Sequence, residues 1–211
     1  VWLAEHQTEG RGRRGRNWVS TFGENLYISI AWRFDLPMSE LAGLSLVAGV
    51  VVCEVLAHLG LKGHSLKWPN DILVGQRKLS GILVEASGEA DGPATAVLGI
   101  GVNFRLPEAQ GVQIDQPWTD LSRVSPLSIS RNRMAGILID RLILACHLFA
   151  AERLAPFLDR WETFDGFSGQ PVNLIRGKQT IEGIYRGIAP SGAMVLEDAS
   201  GRSEHHAGEA D

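Results

Sequence analysis

The sequence predicts an α+β fold. A mixed β-sheet with flanking helices fills residues 1–165, and a small β-barrel follows in residues 166–211. Three observations predict it. Runs rich in β-branched and aromatic residues recur through the first hundred positions. Two long apolar segments, 39–59 and 131–151, carry helical rather than alternating patterns. After Gly166 the chain turns to brief strands separated by Arg176-Gly177, Ser191-Gly192 and Ser200-Gly201, the punctuation of a compact all-β module.

Residues 1–5 form a short apolar strand, and a loop dense in arginine and glycine follows. Residues 25–34 are the next strand, broken by Pro37. Ser39 is placed to cap a helix that Gly60 stops. Residues 65–68 make a short strand ending at Pro69-Asn70-Asp71. Residues 72–74 and 79–86 form a hairpin around Gly75-Gln76-Arg77, and 94–104 is a further strand. Residues 107–126 are irregular. The helix over 131–151 is apolar at Ile137, Leu138, Leu142, Leu144 and Ala145, and its pattern extends through Phe157 to Trp161. Strands at 171–175, 180–188 and 193–197 build the last module, with 198–203 as a solvated turn.

The net charge is −4, so the basic residues are a local feature rather than the broad basic face of a nucleic-acid binder. The apolar run at 41–59 contains Ser45, Glu54 and His58 and reads as a buried helix, not a membrane span. Cys53 and Cys146 are far apart within helical patterns and read as free buried thiols, which fits a reducing cytoplasm. His205-His206 are neighbours on a strand and point to opposite faces, so they do not form a metal pair. The chain reads as a fragment at both ends, since Val1 stands inside a strand.

Gly10-Arg11-Gly12-Arg13-Arg14-Gly15-Arg16 holds four arginines and three glycines in seven residues. Glycine lets backbone approach a ligand, and guanidinium forks suit carboxylates and phosphates. The G-x-G-x-x-G spacing does not mark a dinucleotide fold, because a strand rather than a helix follows it. An RNA-binding loop, with Trp18 and Phe22 stacking on bases, stands as an alternative from the loop alone. Lys67-Trp68-Pro69-Asn70-Asp71 places Asn and Asp at a strand edge. Lys78 lies on the hairpin, where a surface lysine contributes little stability. Gly81, Gly99 and Gly101 face one sheet surface and could floor a slot for a flat ligand.

These motifs, with Arg77-Lys78-Leu79-Ser80-Gly81-Ile82-Leu83-Val84-Glu85 and Gly99-Ile100-Gly101-Val102-Asn103, resemble in order and spacing those of the biotin protein ligase family. The resemblance runs end to end. It implies a catalytic domain of the kind shared with lipoate ligases and class II aminoacyl-tRNA synthetases, followed by an SH3-like domain. It implies biotin and ATP as substrates, Mg²⁺ with the nucleotide, and transfer of biotin to a lysine of a carboxyl carrier domain. By motif position, Gln7, Arg11, Gly12, Arg13, Lys78, Gly81 and Leu83 would contact biotin. Arg13, Arg16, Asn70, Lys78, Asn103 and Trp118 would contact the nucleotide, with Trp118 stacking on adenine and Trp18 packing near the ligand. Lys78, Asp71 and Arg13 would carry the chemistry, Asp71 accepting the proton of the acceptor lysine. The loop would be mobile when empty and close over the adenylate. Ala207–Asp211 resembles the opening of the family's last strand. The family differs in oligomeric state, a homodimer being one of the states the resemblance implies, and some members carry an N-terminal DNA-binding domain; DNA would be a partner only with such a domain. A lipoate or octanoate transferase is the nearest competing enzyme reading.

Overall fold

A computed structural model of the chain describes residues 1–89, 91–125 and 129–211. The first layer is a six-stranded sheet: β1 (Trp2–Ala4), β2 (Leu26–Phe34), β3 (His64–Lys67), β4 (Asp71–Val74), β5 (Arg77–Gly88) and β6 (Ala94–Val102). Its order is β1-β2-β6-β5-β4-β3. Each of these pairings is antiparallel; the parallel contacts are isolated bridges at Leu66–Asp165 and Lys78–Trp118. β6 shows how the sheet divides the molecule. Ala94, Ala96, Leu98, Ile100 and Val102 are buried toward the core, while Thr95, Val97, Gly99 and Gly101 alternate onto the other face.

Helices α1 (Leu44–His58) and α4 (Arg131–Glu152) cover the core face and pack on each other. By length and composition, Met38–His58 and Arg131–Glu152 are long and apolar enough to cross a membrane, and the first is mostly buried in the fold, as the buried-helix reading of 41–59 expected. In the fold their apolarity serves packing. α1 is hydrophobic all round because β3, β4, β5, α4 and α5 (Leu158–Phe164) all touch it. Its start differs from expectation. Ser39 caps nothing; residues Met38–Leu41 form a 3-10 turn, and the helix begins only after Gly43. Gly43 turns the chain at φ +90°, with Leu154 already 3.2 Å from where a Cβ would stand.

Ser130 caps α4 by accepting from the Arg133 N–H. α4 does not run on to Trp161. Arg153 breaks it at φ +59°, and Ala155–Phe157 form a 3-10 turn before α5. Leu144 is exposed rather than core, 57% accessible, because it lies on the outer face of α4. The 107–126 span contains α2 (Glu108–Gly111) and α3 (Leu121–Val124), with Pro126 outside the described residues.

The C-terminal module is a five-stranded antiparallel sheet, in order β10-β9-β8-β7-β11. Its strands are β7 (Pro171–Arg176), β8 (Gln179–Ile188), β9 (Met194–Asp198), β10 (Gly201–His205) and β11 (Glu209–Ala210). The expected solvated turn at 198–203 shrinks to the Asp198–Gly201 hairpin, and its second half becomes β10. Val172, Leu174, Tyr185, Met194 and Leu196 join the same buried cluster as α1 and the large sheet. Trp68 Nε1 donates to the Gly192 carbonyl at 3.1 Å. Gly192 has φ +82°, and a Cβ there would meet Leu154 and Leu46 at 3.1 Å. A turn of the small module is thereby seated against the large one.

Candidate active site

The sheet face away from the helices forms the floor of an open cleft. Antiparallel register puts Gly81 opposite Gly101 and Leu83 opposite Gly99, so all four stand on that face. Residues 10–18 form the lid. Gly12 N–H bonds to the Arg16 carbonyl at 2.7 Å, Trp18 N–H to the Gly10 carbonyl at 2.9 Å, and Arg11 bridges Asn17. Gly10 lets these arms meet: a Cβ there would sit 2.6 Å from the Trp18 carbonyl oxygen. The loop is therefore a bonded hairpin, not a loose string of cations.

The floor is not bare. The Trp18 indole lies across Gly81 and Gly101, where a Cβ would stand 2.9 Å and 2.5 Å from ring carbons. Two of the three glycines thus make room for a side chain of the protein itself. Gly99 is the one left to a ligand, its virtual Cβ only 3.4 Å from the Leu83 carbonyl oxygen. The indole fills part of the slot, and Lys78 Nζ stands 5.6 Å from its centroid.

Lys78 and Asp71 form an ion pair at 2.8 Å, with side chains only 14% and 13% accessible. Backbone holds Lys78 in place: its N–H bonds to the Pro117 carbonyl and its carbonyl accepts the Thr119 N–H, both at 2.9 Å. That zipper also sets Trp118 beside it. Lys78 is therefore not the surface lysine expected from the sequence: it is shielded and neutralises a carboxylate that water barely reaches.

Asn70 donates to the Ile82 carbonyl at 2.9 Å and accepts Arg13 Nη1 at 3.2 Å. Burial, and then the neighbouring Arg14, lower the Arg13 pKa from its ordinary value. Asn103 is buried, donates to the Thr119 carbonyl at 3.1 Å and closes the floor. Arg11 points outward, 70% accessible, with Glu85 at 3.7 Å; such exposed pairs contribute little. All twelve residues expected from the sequence line this one cleft: Gln7, Arg11, Gly12, Arg13, Arg16, Asn70, Asp71, Lys78, Gly81, Leu83, Asn103 and Trp118.

The sequence reading missed the acid on the loop. Arg16 hydrogen-bonds Glu209 of β11, and Arg14 stands 3.7 Å from the same carboxylate. Arg14 also donates to the Ile175 carbonyl at 3.3 Å. Burial alone would raise the Glu209 pKa, but Arg16, Arg14 and Lys67 bring it below its usual value. The same hydrogen bond raises the Arg16 pKa. No local motif connects positions so distant in sequence. Gln113, Ile114, Asp115 and Gln116 also line the cleft, from a span whose composition reads only as loop.

Residues 1–103 match the model of the biotin/lipoate A/B protein ligase family, and residues 167–211 match the biotin protein ligase C-terminal domain. The chain is 45% identical over 195 residues to the bifunctional ligase/repressor BirA of Escherichia coli, covering 92% of this chain and 60% of that protein. It thus spans less than two thirds of that relative's length. It is 34% identical over 212 residues to the biotin–[acetyl-CoA-carboxylase] ligase of Mycobacterium tuberculosis, covering 96% of this chain and 74% of that protein. The solved biotin protein ligase of Aquifex aeolicus in complex with biotin and ATP superposes with a TM-score of 0.82 at 29% identity. That match covers 99% of this chain and 86% of the other.

Proposed function

The chain belongs to the biotin protein ligase family, and on that premise we propose that it activates biotin with ATP and passes the biotinyl group to a lysine of a carrier domain. In the first half-reaction a carboxylate oxygen of biotin attacks the α-phosphorus of ATP. The bond to the bridging oxygen of the β-phosphate breaks, pyrophosphate leaves, and biotinyl-5′-adenylate remains. In the second, the neutral amine of an acceptor lysine attacks the acyl carbon, AMP leaves and an amide forms.

One observation carries the reading: Arg13 and the shielded Lys78–Asp71 pair meet in a single cleft, over a glycine floor partly covered by Trp18. Nucleophile and electrophile of the first step are both anionic. Arg13 and, once it leaves Asp71, Lys78 supply two cations in a partly dried site, where they offset that repulsion more effectively than water would. Arg13 stays cationic despite its lowered pKa, because guanidinium does not deprotonate in proteins. Asp71 holds Lys78 in the resting cleft. When Lys78 turns to the carboxylate and the phosphate, Asp71 is free to accept the proton of the incoming amine. Mg²⁺ would arrive with ATP and neutralise phosphate charge; Asp115, which lines the cleft outside the Lys78–Asp71 and Arg16–Glu209 pairs, would supply it a carboxylate. The lid of residues 10–18 would exclude water from the hydrolysable mixed anhydride. The acceptor would be the carrier domain of a biotin-dependent carboxylase.

ATP–pyrophosphate exchange measured with biotin, with lipoate and with neither tests the reading. Exchange should depend on biotin. Exchange with lipoate instead would move the chain to the lipoate branch of the family, and exchange with neither would remove the ligase reading.

A further inference from the structure

Trp118 does not line the cleft alone. Arg123 lies over its indole, with Cζ 4.4 Å from the ring centroid. That guanidinium is held from three sides. Its Nε is 3.1 Å from Asp120 Oδ2, its Nη1 is 3.0 Å from Glu108 Oε1, and its Nη2 donates to the Leu106 carbonyl at 3.0 Å. Asp120 is fully buried. Its carboxylate also accepts the backbone N–H groups of Leu106 and Arg123 and the hydroxyl of Ser122. The indole is pinned as well: Nε1 donates to the Gly111 carbonyl at 3.1 Å, and a Cβ at Gly111 would lie 1.9 Å from Cζ2.

A cation fixed over one face of an indole is attracted by the ring quadrupole and holds the ring plane. That face is then closed to a base, and the opposite face is the one available for stacking. We propose that Asp120 and Arg123 are positioning residues for the nucleotide: they set Trp118 so that the base stacks on the face away from Arg123. The result is a guanidinium–indole–base sandwich. This inference rests on reading the cleft as an ATP site. Arg123 acts through Trp118 and does not touch the phosphates.

The test uses the full chain with Arg123→Met, which keeps an aliphatic cover on the ring but loses the charged fork, and Arg123→Lys, which keeps charge without the fork. Affinities for ATP, inorganic tripolyphosphate and biotin are measured by calorimetry, with melting curves alongside. Arg123→Met should weaken ATP about five- to ten-fold while leaving tripolyphosphate and biotin unchanged, and Arg123→Lys should recover part of the loss. In exchange assays the KM for ATP should rise with kcat unmoved. Equal loss of ATP and tripolyphosphate would make Arg123 a phosphate-binding cation and overturn the proposal, as would an unchanged ATP affinity. If the unsubstituted chain binds neither ATP nor biotin, the functional reading of the cleft fails, and this proposal with it.

Discussion

Gly101→Ala tests whether the lid is built around Trp18. The new methyl would stand 2.5 Å from Cζ2 and 2.6 Å from Cε2 of the indole. Carbon–carbon contacts settle near 3.5–4.0 Å, so the ring must retreat by about 1 Å or more. Gly81, on the neighbouring strand, already lies tight beneath the same ring. The backbone of Gly101 is extended, so alanine adds no backbone strain. Overpacking of this kind costs roughly 1–3 kcal/mol. Because Trp18 closes the loop hairpin through the Gly10 carbonyl, much of that cost should appear as an open lid. The expected result is about a ten-fold or larger loss of biotin affinity by calorimetry with a modest fall in melting temperature. Gly99→Ala is the contrast: its methyl meets only the Leu83 carbonyl oxygen and Cβ, at 3.4 and 3.9 Å. It should leave stability within about 0.5 kcal/mol and act on ligand alone. A Gly101→Ala protein with unchanged biotin affinity and melting temperature would refute the fit described for Trp18.

Lys78→Ala should abolish adenylate formation and also destabilise the fold by about 2–4 kcal/mol in urea titrations, because Asp71 is left shielded without its partner; Lys78→Met with Asp71→Asn should regain stability but not activity. Glu209→Ala should speed hydrogen exchange of residues 10–16 without altering β5 or β6, since it removes the acid shared by Arg14 and Arg16. His64 is half-buried, with Nε2 on the Cys53 carbonyl and Phe164 stacked on its ring, and burial lowers its pKa. The folded state therefore binds fewer protons than the unfolded one between the two values. Stability is full above the ordinary histidine range and is lost as pH falls through the folded value. Urea titrations at pH 7.5 and 5.5 should show that slope, and His64→Gln should flatten it. Cys53 and Cys146 are buried, the latter thiol pushed up to about 12, so neither should react with a disulfide reagent until the chain unfolds.

Strands whose side chains alternate, such as β2 and β6, were legible because one face had to be apolar. The core helices were legible as apolar blocks, but not in their limits. Gly43 and Arg153 owe their positions to Leu154 and the packing of the 3-10 turn, contacts that local propensity does not contain. The cleft residues were legible because chemistry restricts their types: an arginine–glycine loop, a lysine on a hairpin, Asn and Asp at a strand edge. Their pairings were not. Nothing near Asp71 says that Lys78 neutralises it. Nothing near Arg123 says that it covers Trp118. The glycines were read correctly as a place of close approach, yet the visitor at two of them is Trp18.

Arg16 and Glu209 stand 193 positions apart in the chain. A ribosome adds about 5–20 residues each second, so roughly 10–40 s separate the synthesis of the two. During that interval the arginine loop exists without its acid, a cationic hairpin on a growing chain. Fastening of the loop therefore waits for the synthesis of residue 209, and a nascent chain stalled before it would lack the acid that Arg14 and Arg16 share.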